Sequence, residues 1–247
     1  MVLREVERGV VCIGQPAHAW VSGQLARAWG NDRFPAPDPR DEVCLAVGQH
    51  DLGMAAWDAA PTLNPETGFP HSFLEMPLDA HLRMWTEAPR LALSQSRWEA
   101  LVVSMHGAAL YGRRDLEREP PEAAAAIRAY LDGQRAFQSR LRASLGVSDE
   151  AAASVQRLVW AWDWMSLVLC MDRLPADVPA VPAAGGDQAA LRMERGVIVD
   201  PWPFGADDVR LRVDGRHLPE PLPDEEALHA ALDAAEWVAL EFRLLPA

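Results

Sequence analysis

Residues 158–171, "LVWAWDWMSLVLCM", form the most apolar run of the chain, and one acid, Asp163, interrupts the run between two tryptophans. The composition of this stretch predicts a helix that is buried on nearly all sides. A carboxylate in an apolar interior costs at least several kcal/mol unless it is neutralised, paired or bound to a metal ion. Asp163 therefore predicts a partner, which an arginine, a backbone donor or a metal ion can supply.

The composition is that of a globular protein of 247 residues, 49% hydrophobic and 24% charged. This length suits one large domain, or one domain with a small appendage. The net charge of −13 argues against nucleic acid as a partner. No apolar run reaches the roughly 18 residues of a membrane span, and the first residues lack the pattern of a signal peptide. Cytoplasmic residence and three buried, unpaired thiols (Cys12, Cys44 and Cys170) are the expectation.

All 23 basic residues are arginines, and the chain contains no lysine. A Walker-type phosphate loop requires a lysine, and Schiff-base chemistry requires an amine. Both classes of site are therefore excluded. If the substrate carries a phosphate, an arginine must supply the positive charge.

The pattern of apolar residues predicts a short N-terminal hairpin over residues 2–13, followed by helices. The predicted helices cover residues 15–31, 40–53, 77–95, 97–111, 120–145 and 149–174. After Pro175 a Pro/Gly-rich segment reads as a linker, and the remainder contains strand-like pieces with one short helix near 224–235. We therefore expect a mainly α fold, with a helical domain at 1–175 that includes the hairpin and a small antiparallel β-rich extension at 176–247 packed on the same domain.

Several histidines and acids fall on apolar helix faces, where the neighbouring residues indicate core. A single histidine in such a position is usually a hydrogen-bonded core residue. Five such positions on five helices are harder to explain in this way, and imidazole nitrogen with carboxylate oxygen is the ligand set of Zn, Mn, Fe or Ni. The candidate metal ligands are His18, His50, Asp51, His81, His106 and Asp163.

The order of these residues resembles that of the HD superfamily of metal-dependent phosphohydrolases, which is named for its His-Asp doublet. "CLAVGQHDLG" (44–53) is similar to the apolar helix of that superfamily that ends in the doublet. The resemblance implies an HD-like helical bundle in which His18, His50, Asp51 and Asp163 bind one metal ion. In some branches two further histidines, here His81 and His106, help to hold a second ion.

Four other stretches resemble an uncharacterised bacterial family known only as a domain of unknown function (3891). They are "QPAHAWVSGQLARAWG", "QHDLGMAAWDAAP", "LVVSMHGAALY" and "DPWPF", and they extend over almost the whole chain. This second resemblance supplies no activity. The expected chemistry therefore rests on the resemblance to the HD superfamily.

That resemblance implies a metal-dependent hydrolase of a small phosphorylated or nucleotide-like substrate, with Asp51 and His106 as catalytic residues and one or two divalent transition-metal ions. The gap from Asp51 to Asp163 is long, and the Gly-Tyr-Pro signature of the branch that hydrolyses cyclic dinucleotides is missing. The number of metal ions therefore stays open. Arg83, Arg113 and Arg114 are candidates for binding the phosphate, or they are solvated surface residues.

Two other functions fit the same residues. Some proteins of the HD superfamily hold two irons with this ligand order and oxidise a small molecule. A non-catalytic module, in which the polar core only specifies packing or binds a metal or ligand, is the third possibility.

Four tryptophans are either walls of a substrate pocket or ordinary core residues: Trp20, Trp57, Trp160 and Trp164. A small molecule is the expected partner, without nucleic acid or membrane, and a homodimer is compatible with the sequence.

Overall fold

The computed structural model describes residues 1–247 and shows a mixed α/β protein. The α-helices are α1 (Gln15–Ala28), α2 (Arg40–Gly48), α3 (Ala55–Ala59), α4 (Leu78–Leu93), α5 (Arg97–Gly112), α6 (Pro121–Leu145), α7 (Asp149–Met171) and α8 (Glu225–Ala234). The strands are β1 (Val2–Glu5), β2 (Val10–Ile13), β3 (Leu63–Asn64), β4 (Phe69–Pro70), β5 (Ala176–Pro182), β6 (Gln188–Glu194), β7 (Ile198–Asp200), β8 (Val209–Leu218) and β9 (Glu236–Pro246).

The predicted helices α4 to α7 are confirmed to within a few residues because their ends carry strong local signals. Ser96 precedes α5, and its hydroxyl accepts hydrogen bonds from the backbone N–H groups of Trp98 and Glu99. Ser148 caps α7 in the same way. Gly146 ends α6 in the left-handed conformation, with φ of 67°, which glycine adopts without steric cost.

Seven strands form one curled sheet in the order β1-β2-β8-β9-β7-β6-β5, and β3 and β4 form a separate two-stranded ribbon. The N-terminal hairpin joins this sheet through β2, which pairs antiparallel with β8. All neighbours in the large sheet are antiparallel except β7 and β9, which run parallel. The two ends of the chain are thereby united in one sheet.

The expectation of a mainly α, HD-like helical bundle with a small antiparallel β appendage is therefore wrong. Strands make up 21% of the chain, and the large sheet is a curled half-barrel rather than an appendage. The segment that was expected to be a linker is β5, which contains two prolines. Proline cannot donate a ladder hydrogen bond, but β5 lies at the edge of the sheet, where this loss is tolerated.

The helices pack on the sheet in a definite order. Helix α1 lies against β8, and α7 lies against β1 and β5. Helices α2 and α5 contact α1 and α7 in turn, and α4 and α6 pack on α5. One hydrophobic core continues through these elements, and no helix has both the length and the apolar character that crossing a bilayer requires. This packing order brings α1, α2, α5 and α7 together at the centre of the molecule.

A contact between two glycines sets the distance between α1 and α2. A Cβ atom on Gly23 would lie 2.8 Å from the Cα atom of Gly48, so any side chain there forces the two helices apart. His18 lies one to two turns before Gly23 on α1, and His50 follows Gly48 by two residues. The close approach therefore also sets the separation of these two histidines.

Gly23→Val is expected to destabilise the protein by about 2–3 kcal/mol, or roughly 5–10 °C in Tm, because the backbone of α2 cannot yield as a flexible side chain can. Thermal unfolding followed by circular dichroism measures this shift. Gly133→Ala is the matched control, since a Cβ at Gly133 in α6 meets nothing within 4 Å. Alanine should there stabilise the helix by ~0.5–1 kcal/mol. A Gly23→Val variant with the same Tm as the wild type would contradict the close contact between α1 and α2.

Candidate metal centre

Five of the six predicted metal ligands converge in the core between α1, α2, α5 and α7. His18 comes from α1, His106 from α5 and Asp163 from α7, while His50 and Asp51 follow the end of α2. All five side chains are buried. We refer to these five residues as the His/Asp cluster.

The imidazole Nε2 atoms of the three histidines face the two carboxylates. His18 Nε2 lies 2.6 Å from Asp51 Oδ2, and His50 Nε2 lies 3.3 Å from Asp163 Oδ1. His106 Nε2 lies 3.9 Å from Asp163 Oδ2. Two groups of three have all their ligand atoms within 4.8 Å of one another, namely His18/His50/Asp163 and His50/Asp51/His106. Both groups could hold a metal ion, and they share His50.

Hydrogen bonds on the far side of the imidazole rings orient two of these histidines. His50 Nδ1 donates to the Val47 carbonyl at 2.8 Å, so Nε2 is the nitrogen that faces the carboxylates. His18 Nδ1 lies 2.9 Å from the Ser166 hydroxyl, and that hydroxyl donates to the Asp163 carbonyl at 2.8 Å. Since the Ser166 proton is used there, His18 Nδ1 is the donor, and its Nε2 faces the carboxylates. Such outer hydrogen bonds are typical of metal-binding histidines.

Charges in the cluster shift the pKa values of its members in opposite directions. Burial lowers the pKa of His50, but the charges of Asp51 and Asp163 outweigh burial and raise the pKa to about 9. Burial raises the pKa of the Asp51 carboxyl, yet His50 and His18 hold it well below its usual range, and His50 and His106 do the same for Asp163. Without a metal ion the cluster is thus held together by an imidazolium between two carboxylates.

His106 is neutral in this arrangement. Burial, together with the nearby positive charge of His50, lowers the pKa of His106 to about 4. His106 Nδ1 and His50 Nε2 are both buried; His106 Nδ1 has no partner, and His50 Nε2 meets only a carboxylate, Asp163 Oδ1 at 3.3 Å, without the geometry of a hydrogen bond. Unpaired buried nitrogens are uncommon, because each costs about 1–3 kcal/mol. A metal ion bound through Nε2 would give the His50 nitrogen a partner, so the donor set fits a divalent transition metal.

A cavity of about 370 Å³ opens onto the cluster. His18, Asp51, His106 and Asp163 face it, whereas His50 does not line it. Its other walls are mostly apolar, and they include the segment between β4 and α4. The apolar wall residues are Met54, Phe73, Leu74, Met76, Leu78, Trp85, Leu110 and Leu167, and the remaining polar ones are Gln15, His81, Tyr111 and Arg114. We refer to this cavity as the metal pocket.

His81, the sixth predicted ligand, lines the metal pocket but is not in either ligand group. The Trp85 indole donates to His81 Nε2 at 2.9 Å, and His81 Nδ1 lies 2.6 Å from the Tyr111 hydroxyl. Burial lowers the pKa of His81, so the ring is neutral and its one proton is on Nδ1. Tyr111 accepts that proton's hydrogen bond, and its own hydroxyl proton is left for a ligand.

The three arginines that were candidates for binding phosphate lie in three different places. Arg114 lines the metal pocket and pairs with Glu119 at 2.7 Å. Arg83 is exposed, pairs with Asp79 at 2.7 Å and lies outside this pocket. Arg113 stacks over the Trp160 ring, 3.5 Å from its centroid, and lines another cavity. Only Arg114 is therefore placed to meet a substrate in the metal pocket.

The His50-Asp51 doublet lies beyond α2 rather than on it, contrary to the expected helix over 40–53. Helix α2 ends at Gly48, and Asp51 precedes a short 3₁₀ turn at 52–54. Consecutive residues on an α-helix point about 100° apart. The turn after Gly48 allows both to face the cluster.

The sequence did not single out Trp85 and Tyr111 as site residues. Trp85 follows His81 by four residues, a spacing that places both on one helix face, so a signal for it existed. Tyr111 carried no such signal, since only the packing of α4 on α5 brings it to His81.

The four tryptophans considered as pocket walls do not line the metal pocket. Asp58 accepts a hydrogen bond from the backbone N–H of Gln15 at the start of α1 and is not part of the cluster.

Comparison with known proteins gives a family but no activity. The sequence profile of DUF3891, a protein family of unknown function, matches residues 1–220. No curated protein and no solved structure matches the chain. The matched region contains the whole His/Asp cluster and all of the metal pocket. The chain belongs to the DUF3891 family.

Proposed function

We propose that this protein is a metal-dependent hydrolase of a small phosphorylated molecule and that the His/Asp cluster holds one transition-metal ion, Mn, Fe, Ni or Zn. The observation that carries this proposal is the convergence of three imidazole Nε2 atoms and two carboxylates in the core, beside a cavity. The order of the ligands along the chain is also the order that the resemblance to HD phosphohydrolases implies.

The hydrogen bonds of His81 support one metal ion rather than two. A second ion with the ligand order of the HD superfamily would need His81, and both of its ring nitrogens are already engaged by Trp85 and Tyr111. The two ligand groups also share His50, which can bind one ion through its Nε2. A two-iron oxygenase therefore has less support than a hydrolase with a single ion.

The residues around the pocket suit a substrate with one anionic group and an apolar body. A bound metal ion would lower the pKa of a coordinated water and polarise a phosphoryl oxygen. Asp51 and His106, the predicted catalytic residues, both face the pocket. Arg114 supplies the positive charge that a phosphate requires, and Tyr111 offers a hydroxyl proton to a substrate oxygen. The apolar residues around them exclude water, which strengthens these contacts.

The proposal is tested by hydrolysis of p-nitrophenyl phosphate and bis(p-nitrophenyl) phosphate after separate loading with Mn, Fe, Ni and Zn. We expect metal-dependent release of p-nitrophenol from at least one of the two. Arg114→Ala should raise KM about tenfold or more without changing the metal content, because it removes a charged contact to the phosphate. Arg83→Ala is the matched control and should leave KM unchanged, since Arg83 lies outside the pocket.

Other outcomes identify the competing functions. Two irons per chain with an oxygen-dependent change in absorbance would replace the hydrolase with an oxygenase. A metal-free protein whose melting temperature stays the same after addition of Mn, Fe, Ni or Zn would indicate a non-catalytic module. Equal KM values for Arg83→Ala and Arg114→Ala would refute the assignment of Arg114.

A further inference from the structure

A second, smaller cavity of about 160 Å³ lies near the metal pocket and is separate from it. The two are connected through Trp160, whose ring lines the small cavity and lies 6.0 Å from the His106 ring, centroid to centroid. Helix α7 supplies Gln156, Arg157 and Trp160 to its wall, and Arg113 comes from the end of α5. We refer to it as the arginine cavity.

The arginine cavity is positively charged in a strongly acidic protein. Two of its seven lining residues are arginines and none is an acid, although the net charge of the chain is −13. Arg113 and Arg157 form no salt bridge, whereas most other cavity-lining arginines, such as Arg114 and Arg83, pair with an acid. The charge of these two guanidinium groups is thus uncompensated within the chain.

The polar atoms of Gln156 and Arg157 also lack partners. Gln156 Oε1, Gln156 Nε2 and Arg157 Nε are all buried, and none of them makes a hydrogen bond. Each such atom costs about 1–3 kcal/mol. These three atoms lie beside the arginine cavity, and they would gain partners from a ligand there once the two side chains turn towards it.

The backbone at the rim of the arginine cavity is irregular. The pairing of β5 with β6 shifts between Val178 and Val181, and this bulge contains Pro179 and Ala180, which line the cavity. Ala180 has φ of 58°, a left-handed conformation that costs a residue with a Cβ about 1 kcal/mol or more. Bulges and strained residues of this kind are frequent beside binding sites.

We propose that the arginine cavity binds inorganic phosphate. The guanidinium groups of Arg113 and Arg157 would donate hydrogen bonds to the anion and balance its charge, and Gln156 Nε2 would donate to one of its oxygens. Gln156 Oε1 can only accept a hydrogen bond, so the ligand must also bring an O–H group. Inorganic phosphate at neutral pH carries at least one such proton, whereas sulfate and a fully ionised phosphate monoester carry none. The cavity, of about 160 Å³, has room for a single tetrahedral anion.

Isothermal titration calorimetry on protein treated with a chelator tests this site without any metal ion. Titrants are phosphate, sulfate and phenyl phosphate at pH 7 and constant ionic strength. We expect one phosphate per chain, with sulfate and phenyl phosphate at least tenfold weaker because Gln156 Oε1 then faces an acceptor. Arg157→Met and Gln156→Glu should each weaken phosphate binding at least tenfold. Gln156→Glu keeps the shape of the side chain but introduces a like charge.

Two controls separate this site from the metal pocket and from the protein surface. Arg135→Met removes an exposed arginine that pairs with Asp132, and Arg114→Ala removes the arginine that lines the metal pocket. Both should bind phosphate as the wild type does. Absent phosphate binding, binding that survives both Arg157→Met and Gln156→Glu, or sulfate binding equal to phosphate binding would overturn the proposal. Loss of binding in Arg114→Ala would place the phosphate in the metal pocket and would also overturn it.

Discussion

Asp51→Ala is expected to remove the metal ion from the purified protein, with metal content falling from about one ion per chain to less than about a tenth. Asp51 belongs to one of the two possible ligand groups and lies 2.6 Å from His18, a member of the other. Its removal takes away a ligand and also leaves the positive charge of His50 with one carboxylate instead of two. Elemental analysis of protein purified without chelators measures the effect.

His217→Ala is the matched control for this loss of metal. His217 lies in β8, and its Nε2 donates to the carbonyl of Arg8 at the N-terminal hairpin, so it is not part of any ligand group. Its metal content should equal that of the wild type. Circular dichroism spectra of both variants show whether the fold is kept. Equal metal content in the Asp51 and His217 variants would refute the metal centre.

Metal affinity is expected to fall about tenfold for each unit of pH between pH 8 and pH 6, or about a hundredfold overall. The charges of Asp51 and Asp163 outweigh burial and raise the pKa of His50 to about 9 in the metal-free protein. Below that pH His50 carries a proton, and a metal ion must displace it, because only the neutral imidazole binds. The pKa values of Asp51 and Asp163 are lowered, so these groups stay ionised throughout the range.

Competition with a chelator of known pH dependence measures this change in affinity for Zn. The number of protons released, obtained by calorimetry in buffers with different ionisation enthalpies, should be about one per metal ion at pH 7. His217→Ala should follow the same pH dependence. An affinity that stays constant between pH 8 and pH 6, with no proton released, would contradict the ion pair of His50 with the carboxylates.

Local signals in the sequence were sufficient to predict helices α4 to α7 and to single out the five residues that the structure brings together in the His/Asp cluster. The ends of α5 and α7 are marked by serine caps, which act within a few residues and need no tertiary structure. The ligands were recognisable because a charged or titratable group on an apolar helix face requires a partner. Asp163 in its apolar run is the clearest case, and it lies at the centre of the cluster.

The size of the sheet could not be predicted because strands depend on partners that are distant in the sequence. Segment β5 has a composition that is typical of a linker, and only its place at the edge, beside β6, makes it a strand. The pairing of β2 with β8 joins residues that are about 200 positions apart. No local pattern carries that information.

The choice among the three arginines depended on geometry of the same kind. Arg113 and Arg114 are neighbours in the sequence, yet at a helix end they point in different directions, one to the arginine cavity and one to the metal pocket. The hydrogen bond between His81 and Tyr111 likewise depends on how α4 packs on α5. The composition indicates that an arginine must bind the phosphate of a phosphorylated substrate, but it does not show which arginine does so.

The residues of the His/Asp cluster come from stretches of chain that extend from His18 to Asp163. The longest contiguous piece of the cluster is the doublet His50-Asp51, and two ligands alone hold a transition metal weakly. A chain must therefore place α1, α5 and α7 correctly before it can retain an ion. On the proposed function, we therefore expect metal uptake to follow folding and the metal content of a preparation to report the fraction of molecules that have reached the native state.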